Sequence, residues 1–300
     1  MSIFQRIDLS LLPQPQVVEQ ISYEQILSEL KAELISRDPQ LTEVLALESE
    51  PLVKLLQVYA FREMRSRQRE NQKAISLMLA FATGSDLDQL GANYGVPRLL
   101  LDSGNPAAIP PVPPTYESDD NFKRRIQLSF EAFTTAGSEA SYIFHGLSAD
   151  GQVADISALS PTPGVVAIYV LARTGNGQAD IHLLTKVENA LSAKTVRPLT
   201  DQVNVYSVEV VDFVISAELI LFNGPDSALV LANAQTELDN YLAASRSNGL
   251  DITISGLHHA LHQQGVQRVN LISPSSDIVI QRHQVGHCTS QTLTVVGTND

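Results

Sequence analysis

The residues best suited to chemistry cluster late in the chain: His258, His259, His262, His283, His287 and Cys288. His258 and His262 are four apart on a predicted helix, so both rings could face one metal ion, with His287 and Cys288 adding ligands. However, no acid lies between the first pair to act as a base. Sequence neighbours such as His287-Cys288 rarely chelate one ion together. On a strand they point to opposite faces, which leaves Cys288 without the positioned histidine a thiol nucleophile needs. The expectation is therefore no metal and no cofactor, with surface or interface histidines whose cluster could make an interface pH-sensitive.

Other catalytic signatures are missing from the sequence. It has no Walker-type phosphate loop, no G-x-G-x-x-G after a strand and no G-x-S-x-G elbow. Its carboxylate pairs, Glu48 with Glu50, Asp86 with Asp88 and Asp119 with Asp120, fall at predicted helix starts, where capping and the helix dipole explain them. A glycosidase would need two carboxylates across an aromatic-lined cleft, and this chain is 6% aromatic with no Trp. A structural protein, not an enzyme, is expected.

Composition narrows the partners. The net charge is −13 and the pI about 4.9, which disfavours phosphate backbones and hence nucleic acid. The single cysteine excludes an intramolecular disulfide and points to synthesis in the cytoplasm. No apolar run is long enough to span a membrane, and the N-terminus, with Arg6 and Asp8, does not read as a signal peptide. With 44% apolar residues in a chain of 300, about two or three folded units are expected.

The elements that would position these residues read as α+β: a helical N-terminal region with a long helix, a Pro-rich linker, then two α/β units of split βαβ type. Residues 1–20 are expected to be an extended arm, with Pro13 and Pro15 disfavouring helix. The helical region, 21–101, starts at Ser22 with Ile26, Leu27, Leu30 and Leu34 at helical spacing and stops by Pro39. After a short helix over 41–48, a long one is capped by Ser49, carries Pro51 in its first turn and runs to Ala82, with Gly84 as its stop. At 1.5 Å per residue it is roughly 45–50 Å long. Leu52, Leu55, Leu56, Tyr59 and Phe61 occupy its first half. Arg62, Arg65 and Arg69 share one face of its middle, a basic patch in an acidic chain. Ser85 and Asp88 form a capping-box pattern for the next helix, which ends at Gly95.

Residues 102–116 carry five prolines and read as a stiff, extended domain linker. A middle α/β domain is expected over 117–210, with helices 118–133, 139–149 and 181–193 and strands 153–159 and 165–172. A C-terminal α/β domain, 211–300, follows, with strands 212–221, 266–272, 277–281 and 293–296 and helices 227–244 and 256–264. One internal echo is visible: Ile143, Leu147, Gly151, Val153, Ile156 and Ser160-Pro161 match Leu257, Leu261, Gly265, Val266, Val269 and Ser273-Pro274.

Several stretches together resemble the J-type baseplate wedge proteins of contractile-tailed, P2-like phages and phage-tail-like bacteriocins. They are Leu47 to Leu56, Gly84-Ser85-Asp86-Leu87-Asp88-Gln89-Leu90, Tyr94-Gly95-Val96-Pro97-Arg98, Glu117 to Asp120 with Arg124-Arg125-Ile126, and Gly265 to Val269. The resemblance covers essentially the whole chain, in order. It implies a scaffold role among other baseplate and hub proteins: two copies join one I-type wedge protein, the N-terminal helices bundle with those partners, and the C-terminal domain dimerises to link wedges into a ring. The ring would relay host contact to sheath contraction, after assembly in the host cytoplasm. Interface candidates are Leu52, Leu55, Leu56, Tyr59, Arg62, Arg65, Arg69, Val266 and Val269, and the movable joints are sought in 102–116 and near Gly175 and Gly177.

Overall fold

A computed structural model describes residues 7–13, 15, 19–134, 137–224 and 226–299. The described residues separate into two compact units, one formed within 5–98 with 118–126 and the other within 99–117 with 127–300.

In the helical unit, α1 (Tyr23–Arg37) is capped by the Ser22 hydroxyl and packs on α3 (Pro51–Ser76), with α2 (Thr42–Ala46) between them in the chain. Much of the expected arm, residues 1–6, 14 and 16–18, lies outside the described residues, and Leu9–Leu11 forms a 3-10 turn capped by Asp8. The long helix begins as expected with Pro51 in its first turn, but Glu50, not Ser49, occupies its N-cap. It also stops at Ser76 rather than Ala82, and residues 77–81 continue as turns. Gly84, read as the stop, instead opens α4 (Gly84–Asn93) with φ +53°, and Thr83 rather than Ser85 is its N-cap.

The Gly84-to-Arg98 stretch is a packing hub. Leu87, Val96 and Phe122 of α5 (Asp119–Leu128) are buried to 2% exposure or less. Gly91 lies so close to the Phe122 ring that a Cβ there would fall 2.3 Å from it. Arg98 reaches Asp88 at 2.6 Å and Asp119 at 2.8 Å, and its guanidinium lies 4.7 Å from the centre of the Phe122 ring. Burial opposes its charge, but the hydrogen bonds to the two aspartates outweigh that and raise its pKa. Helix α5 ends at Leu128 and tightens into a 3-10 segment over Ser129–Phe133, so the expected single helix 118–133 is two pieces.

In the other unit, the Pro-rich segment turns back on itself. β1 (Leu100–Asp102) pairs antiparallel with β2 (Thr115–Tyr116), and Asn105 and Val112 exchange backbone hydrogen bonds of 2.9 and 3.0 Å. It is a hairpin rather than an extended run, with Ile109 fully exposed near its tip.

Two three-stranded α/β halves follow. The central half comprises α6 (Glu139–Ala149), β3 (Val153–Thr162), β4 (Val165–Ala172), α7 (Ile181–Leu191) and β5 (Gln202–Ser207), in sheet order β3-β4-β5. β4 runs antiparallel to β3 and parallel to β5, with α7 as the crossover. The C-terminal half comprises β6 (Glu209–Phe222), α8 (Ser227–Ser245), α9 (Ile254–Leu261), β7 (Val266–Ser273) and β8 (Gln284–Asn299), in order β7-β6-β8. Its centre, β6, is likewise antiparallel to one neighbour, β7, and parallel to the other, β8. The sequence echo thus falls on equivalent pieces: α6 leads into β3 as α9 leads into β7. The halves differ in chain order, because the second begins with its central strand. The expected strand 277–281 is not one; Ile278 makes only an isolated bridge to Ile252. The short strand expected at 293–296 is the distal part of the 16-residue β8.

The two halves are fastened together. The Asp155 carboxylate, 5% exposed, accepts hydrogen bonds from the Ser247 hydroxyl and, at 3.0 Å, from the Asn248 backbone N–H. Asn248 donates to the Tyr169 carbonyl at 3.0 Å, and Ser157 donates to the Arg282 carbonyl. The Arg282 guanidinium pairs with Glu139 and donates to the Ala158 carbonyl. Leu171, Val208 and Val285 form a small apolar cluster beside this clasp. Arg246 donates to the Gly175 carbonyl at 2.8 Å, which ties down the turn that the sequence offered as a joint.

Candidate assembly interface

Helix α3 spans 26 residues, yet only Val53 and Ala60 in it are buried. At about 100° per residue both fall on one side, the side that meets α1 and its buried Ile26. Leu52 and Leu56 flank that side and are half-buried. The opposite side carries Leu55, Val58, Tyr59 and Phe61, each 50–65% exposed. One turn further on, the same side presents Arg62, Arg65 and Arg69, all exposed. The outward face is therefore apolar in its first half and basic in its middle.

The arginines of α3 divide along the same line, whereas Lys73, four residues after Arg69 on the outward side, is paired. On the flank toward α1, Arg67 pairs with Glu63 and, at 3.8 Å, with Glu19; its hydrogen bond to Glu63 chiefly raises its pKa. Lys73 pairs with Glu70 at 2.9 Å and lowers the Glu70 pKa. Asn71 exchanges hydrogen bonds with the Glu19 backbone at 3.1 and 2.9 Å, fixing that part of the chain against α3. A cavity of about 700 Å³ lies beside these residues. Arg62, Arg65 and Arg69, in contrast, form no ion pair among the described residues. Unpaired cations in a chain of net charge −13 form a surface that attracts acidic partners.

The remaining candidates lie elsewhere. Val266 and Val269, 2% and 9% exposed, are packed in the C-terminal core with Ile215, Leu219, Leu238 and Leu257. They offer no surface to a partner and are corrected to core residues: their side chains turn into the sheet face covered by α8 and α9. His258 and His259 lie in the last turn of α9, and His262 is its C-cap. His287 lies on β8, its Nδ1 2.9 Å from the Asp212 carboxylate on β6. The Cys288 thiol donates to the Ser290 carbonyl at 3.3 Å, and burial raises its pKa, away from the thiolate a nucleophile requires. Among the described residues no three His, Cys, Asp or Glu side chains gather into a metal-binding group. A 370 Å³ cavity in the central half is lined by Asp150, Asp180, His182 and Lys186, but the Lys186 ammonium already holds the Asp150 carboxylate at 2.6 Å. Among the described residues no helix is long and apolar enough to cross a membrane.

Sequence reasoning passed over Val58 as part of the outward face. The signal was available: Val58 is four residues before Arg62 and three after Leu55, on the same stripe.

Three segments match domains of one family: residues 48–105 the Baseplate J-like N-terminal domain, 134–207 the Baseplate J-like central domain and 213–295 the Baseplate J-like protein C-terminal domain. Baseplate protein J of Escherichia phage P2 is 46% identical over 299 residues, which cover 98% of this chain and 99% of that protein. The chain belongs to the baseplate J-like family. As a baseplate J-like protein it has a structural role in the baseplate wedge of a contractile tail and associates with other baseplate proteins. A chain in the cryo-EM structure of the anti-feeding prophage baseplate, 6-fold symmetrised, is also similar, with a TM-score of 0.43 and 15% identity, over 61% of this chain and 44% of that one.

Proposed function

We propose that this baseplate J-like protein joins an I-type wedge protein and a second copy of itself through the outward face of α3, and that its C-terminal half links one wedge to the next in a ring. The ring passes a conformational signal to the sheath. The role is mechanical, without catalysis, and assembly takes place in the host cytoplasm before the tail is complete. The carrying observation is the outward face of α3, where four large apolar residues and three unpaired arginines lie on the side away from α1. Apolar side chains at this spacing suit a helix-on-helix contact. The arginines beside them set its register against an acidic helix.

The test is co-expression with the wedge protein encoded next to it, followed by mass measurement in solution. A complex of two copies of this chain with one neighbour is expected. The triple substitution Arg62→Glu, Arg65→Glu, Arg69→Glu should abolish that complex while leaving the isolated chain folded. Normal assembly of the triple variant would refute the docking role.

A further inference from the structure

We propose that the outer edge of β8 is a seam at which two copies of this chain pair strand to strand, antiparallel and about a twofold axis. This deepens the reading above, because it rests on a second copy meeting the C-terminal half and assigns the surface that does so.

β8 hydrogen-bonds to β6 along its inner edge, and it is the last strand in the order β7-β6-β8. No strand borders its outer edge among the described residues. A free edge of this length is a template for another strand, and proteins normally blunt such edges with charge, proline, bulges or short strands. The opposite edge of the same sheet shows the usual protection. β7 is half as long, carries Arg268, and runs directly into Pro274.

β8 lacks most of this protection. From Gln284 to Asn299 there is no Asp, Glu, Lys, Arg or Pro, in a chain that is 18% charged. Two irregularities interrupt the pairing with β6, between Cys288 and Ser290 and between Val295 and Gly297. They leave an unbroken window from Ser290 to Val295, the length of an ordinary strand. Within it Gln291, Leu293 and Val295 face α8 and the core, with Gln291 held by Gln235 and Asp239. Ser290, Thr292 and Thr294 face the other way and are exposed.

These features favour a second copy over another partner. Two molecules of net charge −13 repel wherever acidic surfaces meet, and a charge-free strip is where that repulsion is least. Twofold antiparallel pairing centred on Thr292 sets Thr292 against Thr292 and Ser290 against Thr294. Thr opposite Thr or Ser is a favourable cross-strand pair, and an isologous contact closes at two copies rather than running on into a filament. The two sheets would join into one of six strands, β7-β6-β8 from each copy.

The full-length chain should be a dimer by light scattering across a dilution series. Thr292→Lys with Thr294→Lys, and separately Thr292→Glu with Thr294→Glu, set like charges across the axis. Each is expected to weaken the dimer at least about tenfold while circular dichroism stays unchanged, since both side chains are exposed. Mixing the Lys and Glu variants should restore a dimer containing one of each. A wild-type chain that stays monomeric, variants that dimerise like wild type, or folded variants that the mixture fails to rescue would each overturn the seam. The Lys variant should still bind the neighbouring wedge protein, and the α3 triple variant should still dimerise. Failure here and failure of the α3 reading are thereby distinguishable.

Discussion

The helical unit and the α/β unit spend their apolar residues differently. In the C-terminal half, Ile215, Ala217, Leu219 and Leu221 of β6 alternate into a core closed by Val230, Ala234 and Leu238 of α8 and by Leu257 and Leu261 of α9. In α3, two of 26 residues are buried, while Leu55, Val58, Tyr59 and Phe61 remain at the surface. The C-terminal half thus closes its own core, whereas α3 leaves large apolar side chains uncovered. The function proposed above would use both: a rigid body to transmit force and a surface completed in the complex.

The sharpest way to break this comparison is through the self-sufficient core. Leu219→Ala or Leu238→Ala removes a fully buried side chain and should cost about 2–5 kcal/mol in a urea titration of the isolated chain. A loss below about 1 kcal/mol would mean that this core also waits for a partner.

Gly91→Ala comes next. Its methyl group would meet the Phe122 ring and lie 2.8 Å from the Val96 carbonyl, and overpacking of this kind costs about 1–3 kcal/mol. The effect should be confined to the helical unit, so hydrogen exchange in α4 and α5 should rise while β6 stays protected.

Asp155→Ala tests whether the two α/β halves behave as one body. It leaves the Ser247 hydroxyl and the Asn248 N–H without their acceptor, at a cost of about 1–3 kcal/mol. Calorimetry should change from a joint transition of the two halves to separate ones. A single, merely shifted transition would show that the Leu171, Val208 and Val285 cluster and the Arg282 contacts suffice alone.

The same contrast explains how much could be read from the sequence. Elements with local signals were legible. Helix 139–149 and strand 165–172 have the bounds expected from their apolar periods and flanking glycines. β8 was read only at 293–296 because its Thr, Ser, Gln and Gly residues show little alternation over 284–292; its parallel register with β6, some 75 residues earlier, fixes it, and that is a nonlocal fact. The end of α3 was misjudged because Ile75, Met78, Leu79 and Phe81 continue a helical apolar pattern through residues that in fact turn. Val266 and Val269, offered as an interface on resemblance, are three residues apart and would face opposite sides of a regular strand; the register shift opposite Ile220 and Leu221 brings both into the core, and that is not visible in the sequence. The outward face of α3 was largely visible, since spacing alone aligned Arg62, Arg65 and Arg69; that its apolar half is uncovered required knowing where α1 lies.

A smaller effect follows from pH. Burial lowers the pKa of His145 on α6 from its usual 6.5, with a hydrogen bond to the Ala132 backbone acting in the opposite direction, and its Nε2 is buried without a partner. A histidine whose folded pKa is depressed takes up its proton more readily when unfolded. Stability is then full above about pH 6.5 and falls as pH drops from there toward the folded pKa. Asp119 and Asp150 add their own loss only below their ordinary value of 3.8, because hydrogen bonds to backbone N–H groups and to Arg98 or Lys186 outweigh burial and depress both. His145→Phe should flatten the urea midpoint between about pH 5 and 7 and leave the acid limb intact. An unchanged slope would place the titration elsewhere.

The smallest effect on stability should come from the face proposed above to dock the neighbouring wedge protein. Leu55→Ser with Tyr59→Ser removes side chains 65% and 57% exposed, so the isolated chain should change by less than about 0.5 kcal/mol per site. If α3 docks as proposed, the same pair should weaken binding to the neighbouring wedge protein by ten-fold or more, because docking would bury these groups. Loss of stability in the isolated chain comparable to Leu219→Ala would mean that α3 already uses this face at home. Undiminished binding would mean that the bundle forms elsewhere. Either result would remove the contrast between a finished core and an unfinished helix on which the docking argument depends.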